Sequence, residues 1–170
     1  MCDNIILIGM PGSGKSTYGV VLAKKLGYAF LDTDLVIQEK YGKLLWELIV
    51  EKSLDGFLAI EEEVNASIQA NHTVIAPGGS VIYGTKAMEH FREIGRVVYL
   101  DRPMEYLRES VGDTSKRGVA MRPGQTFLDL YEERTPLYQK YADITIPCEG
   151  KTGAEIVEEM YHAVRTEEIN

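Results

Sequence analysis

Short apolar runs alternate along the chain with longer stretches whose apolar positions recur every three or four residues. The runs at 4–9, 28–32, 73–76, 96–100 and 143–147 are each bounded by Gly, Pro, Asn or Asp, which predicts five buried strands. The stretches between them predict helices over 15–26, 35–41, 45–52, 57–70, 86–93, 104–111, 127–141 and 154–165. Strand and helix in alternation imply an α/β fold, with a parallel sheet covered on both faces. One segment, 111–126, follows neither period. It is rich in Gly, polar and basic residues, and long loops in compact domains are often functional, so a lid over a site is expected there.

Composition narrows the partners. The 170 residues are 45% hydrophobic and 26% charged, ordinary for a globular protein, and they suit a single domain spanning 1–170. The formal net charge of −8 disfavours nucleic acid and anionic membrane surfaces, so a small-molecule ligand and a monomer are expected. Cys2 and Cys148 fit neither a disulfide framework nor a metal-ligand spacing. With no apolar run of membrane length and no basic leader, the expected location is cytoplasmic.

The chemistry begins at Gly9. "GMPGSGKST" (9–17) has the spacing G-x-x-x-x-G-K-[ST], after an apolar strand and at the start of a helix. Gly12 and Gly14 allow backbone N–H groups, with that of Ser13 between them, to turn around phosphate oxygens. Lys15 supplies a charge for the β- and γ-phosphates, Ser16 a hydroxyl for Mg²⁺, and Thr17 continues the loop into the helix. ATP and Mg²⁺ are the cofactors this motif predicts.

The second strand ends in "LDTD", placing Asp32 and Asp34 at the edge where ligands sit in open α/β sheets. One carboxylate can orient metal-bound water while the other accepts a proton from an attacking hydroxyl. The alternative is that the pair only caps the next helix.

The P-loop, "LDTD", a "PGGS" turn at 77–80, the basic loop and "ERTPLYQKYAD" (133–143) stand in one order that resembles the shikimate kinase family along nearly the whole chain. That resemblance implies a three-layer P-loop kinase fold: a five-stranded parallel sheet of order 2-3-1-4-5, flanked by helices. It also implies a substrate-binding helical segment at about 33–70, a mobile lid at about 112–125, and ATP-dependent phosphorylation of shikimate to shikimate 3-phosphate. It assigns Gly12, Gly14, Lys15 and Ser16 to ATP and Mg²⁺, Asp32 to metal-bound water, and Asp34 to the substrate hydroxyls, with a role as base as a further implication. Gly78 and Gly79 match a substrate-facing glycine turn. Arg117 resembles the lid arginine that closes on the nucleotide phosphates, with a solvated loop cation as the alternative. Arg134 resembles the arginine that grips the substrate carboxylate, with pairing to Glu132 or Glu133 as the alternative.

The acceptor half departs from the family pattern. Where the family has Phe-Arg-x-x-Glu, the chain has Phe57-Leu58-Ala59-Ile60-Glu61, so a second carboxylate-binding arginine becomes Leu58. The third glycine of the turn is Ser80, and the lid reads Arg117-Gly118-Val119-Ala120, with a further Arg-Pro at 122–123. A charge-assisted hydrogen bond contributes roughly 1.5–3 kcal/mol, so losing one arginine of two weakens a carboxylate ligand by about one to two decades.

No Lys or Arg occurs from Ser53 to Tyr83, a span that contains Glu61. Glu61 falls on or beside the apolar stripe of its helix and lacks the arginine that would partner it. Three readings stand: an ammonium on a hydroxy-amino acid substrate such as homoserine, a lid cation such as Arg122 replacing the lost arginine for shikimate, or a solvated acidic face formed with Glu62 and Glu63. A non-catalytic ATP-binding module is the remaining alternative. A nucleoside-monophosphate kinase would need several arginines where this span has none.

Overall fold

The computed structural model describes residues 3–112 and 118–166. Five strands, β1 (Asn4–Ile8), β2 (Ala29–Asp32), β3 (Thr73–Ala76), β4 (Gly95–Asp101) and β5 (Ile144–Pro147), form one parallel sheet of order β2-β3-β1-β4-β5. The helices are α1 (Lys15–Leu26), α2 (Thr33–Tyr41), α3 (Leu45–Ala66), α4 (Thr85–Ile94), α5 (Met104–Val111), α6 (Phe127–Tyr141) and α7 (Gly153–Thr166). A 3₁₀ turn, Val81–Tyr83, precedes α4.

Alternate residues of β1 feed two cores. Ile5 and Leu7 pack with Leu22 of α1 and Ile156 and Met160 of α7. Ile6 and Ile8 pack with Met88 and Phe91 of α4 and Tyr138 of α6. Burial on both faces explains why the inner strands β1, β3 and β4 read as nearly unbroken apolar runs. The chain leaving β1 therefore goes to one face and the chain leaving β3 to the other. Such a reversal between neighbouring parallel strands opens a crevice at their carboxyl ends, and the P-loop and the 77–80 turn both lie there. Among the described residues no helix is long and apolar enough to cross a membrane.

Two expected helices, 45–52 and 57–70, are one element with a kink. Ser53 has φ 63° and ψ 170° inside α3, a backbone region that residues with a Cβ rarely enter. Its hydroxyl accepts from the Gly56 amide at 3.4 Å, starting the second half as a cap would. The helix stops at Ala66 rather than at 70, where Ser67 Oγ turns back to the Val64 carbonyl at 2.8 Å and competes with continued helix. The other boundaries differ from the sequence reading by at most two residues.

Candidate active site

The crevice holds a cavity of about 410 Å³. Its walls include Gly12, Gly14, Lys15, Ser16, Thr17, Asp32, Asp34, Glu61, Gly78, Gly79 and Arg134, which the sequence had singled out. Ser13 belongs to the same loop but is fully buried behind it. Arg117 lies outside the described residues; its neighbours Gly118, Val119 and Ala120 line the cavity.

The P-loop is wrapped tightly. Gly12 has φ +81°, and a Cβ there would meet Val111 at 2.5 Å; Gly14 has φ +95°, and a Cβ would meet the Tyr18 ring at 2.3 Å. Both positions therefore require glycine for conformation and for space. Lys15 is buried, and its Nζ donates to the Gly9 and Met10 carbonyls at 2.8 and 3.0 Å. Burial pulls its ammonium down to about 8, against the carboxylates of Asp34, Asp32 and Glu61 that favour the charged form.

For Asp32 the capping reading is borne out, and its other oxygen lies against the P-loop hydroxyl. Its Oδ1 caps α2 by accepting from the Asp34 amide at 3.0 Å, while its Oδ2 accepts from Ser16 Oγ at 2.8 Å. A hydroxyl and a carboxylate so joined are hard oxygen donors that suit Mg²⁺, which keeps most of its shell as water and phosphate. Among the described residues no cluster of three or more His, Cys, Asp or Glu offers another metal site. Asp34 points inward, and its Oδ1 is buried without a hydrogen-bond partner. Burial, aided by the charge of Asp32, pushes its carboxyl up to about 6.

The acceptor wall is built from α3, the 77–80 turn and α6. Glu61 is 2% exposed, so the solvated acidic face is ruled out for this residue. It is also not partnerless: Ser80 Oγ donates to Glu61 Oε2 at 2.5 Å. The residue replacing the third glycine thus supplies the hydrogen bond that Leu58 cannot, a pairing hidden from the sequence by the separation of 19 positions. Burial pushes the Glu61 carboxyl up to about 7; the Ser80 bond and the charges of Arg134 and Lys15 oppose this, and Asp34 adds to it. A Cβ on Gly78 would lie 2.6 Å from Glu61 Oε1 and 2.8 Å from Asp34 Oδ1, so the two carboxyl groups meet across that glycine.

Helix α6 brings Leu130, Arg134 and Tyr138 to its inner face at intervals of four. Arg134 is 1% exposed and pairs with neither Glu132 nor Glu133. Its Nη2 donates to the Ala120 carbonyl at 2.6 Å and its Nε to Tyr83 Oη at 3.4 Å. Tyr138 Oη donates to the Gly79 carbonyl at 2.5 Å and its ring stacks on Tyr99. The sequence analysis passed over Ser80's role, Tyr83 and Tyr138; for Tyr138 the signal was its spacing of four from Arg134. Leu58 lines a separate cavity of about 230 Å³, shared with Arg122, Tyr83 and Ala120.

The family model for shikimate kinase matches residues 11–165. This chain belongs to the shikimate kinase family. It is 38% identical to a shikimate kinase of Clostridium botulinum over 161 residues, covering 94% of this chain and 96% of that protein. It is 33% identical to one from Persephonella marina over 163 residues, covering 95% and 99%. The solved shikimate kinase of Acinetobacter baumannii, in complex with shikimate, superposes with a TM-score of 0.89 at 28% identity, covering 100% of this chain and 97% of that one. The shikimate kinase fold expected from the resemblance is the observed one, strand order included.

Proposed function

We propose that this family member is an ATP- and Mg²⁺-dependent kinase that transfers the γ-phosphoryl group of ATP to a hydroxyl of shikimate. The observation that carries the reading is the partnerless inward oxygen of Asp34, in one cavity with the P-loop lysine and a buried arginine. A carboxylate so placed accepts a hydrogen bond from a hydroxyl, and Arg134 donates to a carboxylate. When bound, ATP supplies the transferable group and Mg²⁺ charge at its phosphates, with Ser16 and Asp32 as the residues that would hold the metal.

The chain's own residues do the rest. Lys15 and the loop amides stabilise negative charge on the phosphates. Asp34 orients the acceptor hydroxyl; as the hydroxyl oxygen bonds to phosphorus and the bond to the ADP oxygen breaks, Asp34 takes the hydroxyl proton. Its raised pKa, still below neutrality, suits a base at pH 7. Gly78 and Gly79 leave the turn open to the acceptor, and Glu61 frames it through Ser80. The segment 112–125, with Arg117, acts as the lid, and 33–70 carries much of the acceptor wall. Arg122 is exposed and lines the neighbouring cavity beside Leu58, so it serves as a second cation for the carboxylate only if lid closure carries it to the site. The acidic charge balance supports a cytoplasmic monomer that avoids polyanions.

The hydroxy-amino acid alternative rested on a Glu61 without a partner; Ser80 supplies a hydrogen bond, and the raised pKa lets the buried carboxyl shed its charge without an ammonium. The test is ADP release with ATP, Mg²⁺ and a panel of shikimate, hydroxy acids and hydroxy-amino acids. Saturable turnover of shikimate above the others is expected; turnover confined to an amino acid overturns the acceptor assignment, and ATP binding without transfer to any acceptor overturns catalysis.

A further inference from the structure

Arg134 is buried, yet no carboxylate bonds its guanidinium directly among the described residues. A buried charge needs compensation, and here it reaches one through a tyrosine. Arg134 Nε donates to Tyr83 Oη at 3.4 Å, its guanidinium lies 5.3 Å from the centre of the Tyr83 ring, and Tyr83 Oη in turn donates to Glu133 Oε1. The direction is fixed, because an ionised carboxylate only accepts. The tyrosine hydrogen therefore goes to Glu133 and its lone pairs face Arg134. The other Glu133 oxygen accepts from Gln125 Nε2 at 3.1 Å, and Gln125 Oε1 accepts from the Arg122 amide at 3.1 Å.

Tyr83 is also tied to the acceptor turn. It ends the 3₁₀ turn that follows Ser80, with its amide donating to the Ser80 carbonyl at 3.0 Å. Arg134 Nη1 comes within 3.1 Å of where a Gly79 Cβ would stand. With Nη2 held by the Ala120 carbonyl, the Tyr83 hydroxyl is the second point that fixes the roll of the guanidinium about its stem. The planar fork of arginine makes that roll matter, since two parallel bonds to a carboxylate are lost when the plane turns.

We propose that Tyr83 is a positioning residue for the acceptor carboxylate: with Glu133 behind it, it holds Arg134 in the orientation that grips the substrate. This rests on the reading of the acceptor as shikimate. Neither Tyr83 nor Glu133 needs to touch the substrate, and neither approaches the nucleotide loop.

The experiment compares wild type, Tyr83→Phe, Glu133→Gln and the double variant by steady-state kinetics with shikimate and ATP varied separately. Tyr83→Phe keeps the ring and removes only the hydroxyl. The expected result is a rise of about 5- to 20-fold in the shikimate KM, with the ATP KM within about twofold and kcat changed far less than the shikimate KM. The double variant should be no worse than Tyr83→Phe, because both changes cut the same chain. An unchanged shikimate KM in Tyr83→Phe overturns the inference, as does a parallel loss for both substrates that tracks a fall in Tm. No turnover of shikimate by the wild type overturns the proposed acceptor and this inference with it; turnover by the wild type separates the two failures.

Discussion

Replacing Glu61 by Gln should stabilise the protein, and the gain should grow with pH. Glu61 is buried and its carboxyl is pushed from about 4.5 to about 7. The folded state therefore holds a proton through a pH range in which the unfolded chain has released it. A raised carboxyl pKa means that stability is fully present below about 4.5 and is lost as pH rises through about 7. The whole shift corresponds to roughly 3 kcal/mol at 1.36 kcal/mol per unit. Gln keeps the shape and a hydrogen bond to Ser80 but has no proton to lose. Urea unfolding of both proteins between about pH 5 and pH 8 should show an advantage for Glu61→Gln of about 1 kcal/mol or less at the acid end and about 3 at the alkaline end. Asp34 titrates in an overlapping window in both proteins, so the difference curve, not either curve alone, is the readout. A variant uniformly less stable than wild type, with the same dependence on pH, would refute the burial argument.

Lys15→Ala should lower kcat by at least about 100-fold and leave the circular dichroism spectrum unchanged; near-normal turnover would remove Lys15 from the mechanism. Gly78→Ala pushes a methyl against Glu61 Oε1 and Asp34 Oδ1, so shikimate turnover should collapse while a fluorescent ATP analogue still binds; unchanged shikimate kinetics would show that the carboxyl groups yield. Arg122→Ala should raise the shikimate KM by about 10-fold with the ATP KM unaffected, and equal KM values would leave Arg134 as the sole carboxylate cation.

The sheet was legible because burial on both faces writes the three inner strands as apolar runs, because turn residues bound the part-exposed edge strands β2 and β5, and because the P-loop must follow a strand and open a helix. The nucleotide half of the site is one contiguous stretch, from Gly9 to Thr17, so spacing alone exposes it. The acceptor half is assembled from distant parts of the chain. Glu61 and Ser80 are 19 residues apart, and Tyr83 and Arg134 are 51 apart. Leu58 and Ser80 each read as a lost feature when taken alone; only their placement shows that a hydroxyl now satisfies Glu61. The kink in α3 was half-read as a gap between two helices. What escaped was that the two halves are joined directly through a strained, non-helical Ser53 rather than by a loop.

That kink divides α3 mechanically. Residues 45–52 form the surface against which Gly118 rests: a Cβ there would come within 2.7 Å of the Leu45 side chain and 3.1 Å of the Trp46 amide. The half after Ser53 carries Phe57 and Glu61 into the cavity. A continuous helix transmits torque along its length, whereas a joint where φ and ψ leave the helical region absorbs it. Displacement of the first half therefore need not drag Glu61 off Ser80. The half of the helix that carries Glu61 is insulated from the half against which Gly118 packs.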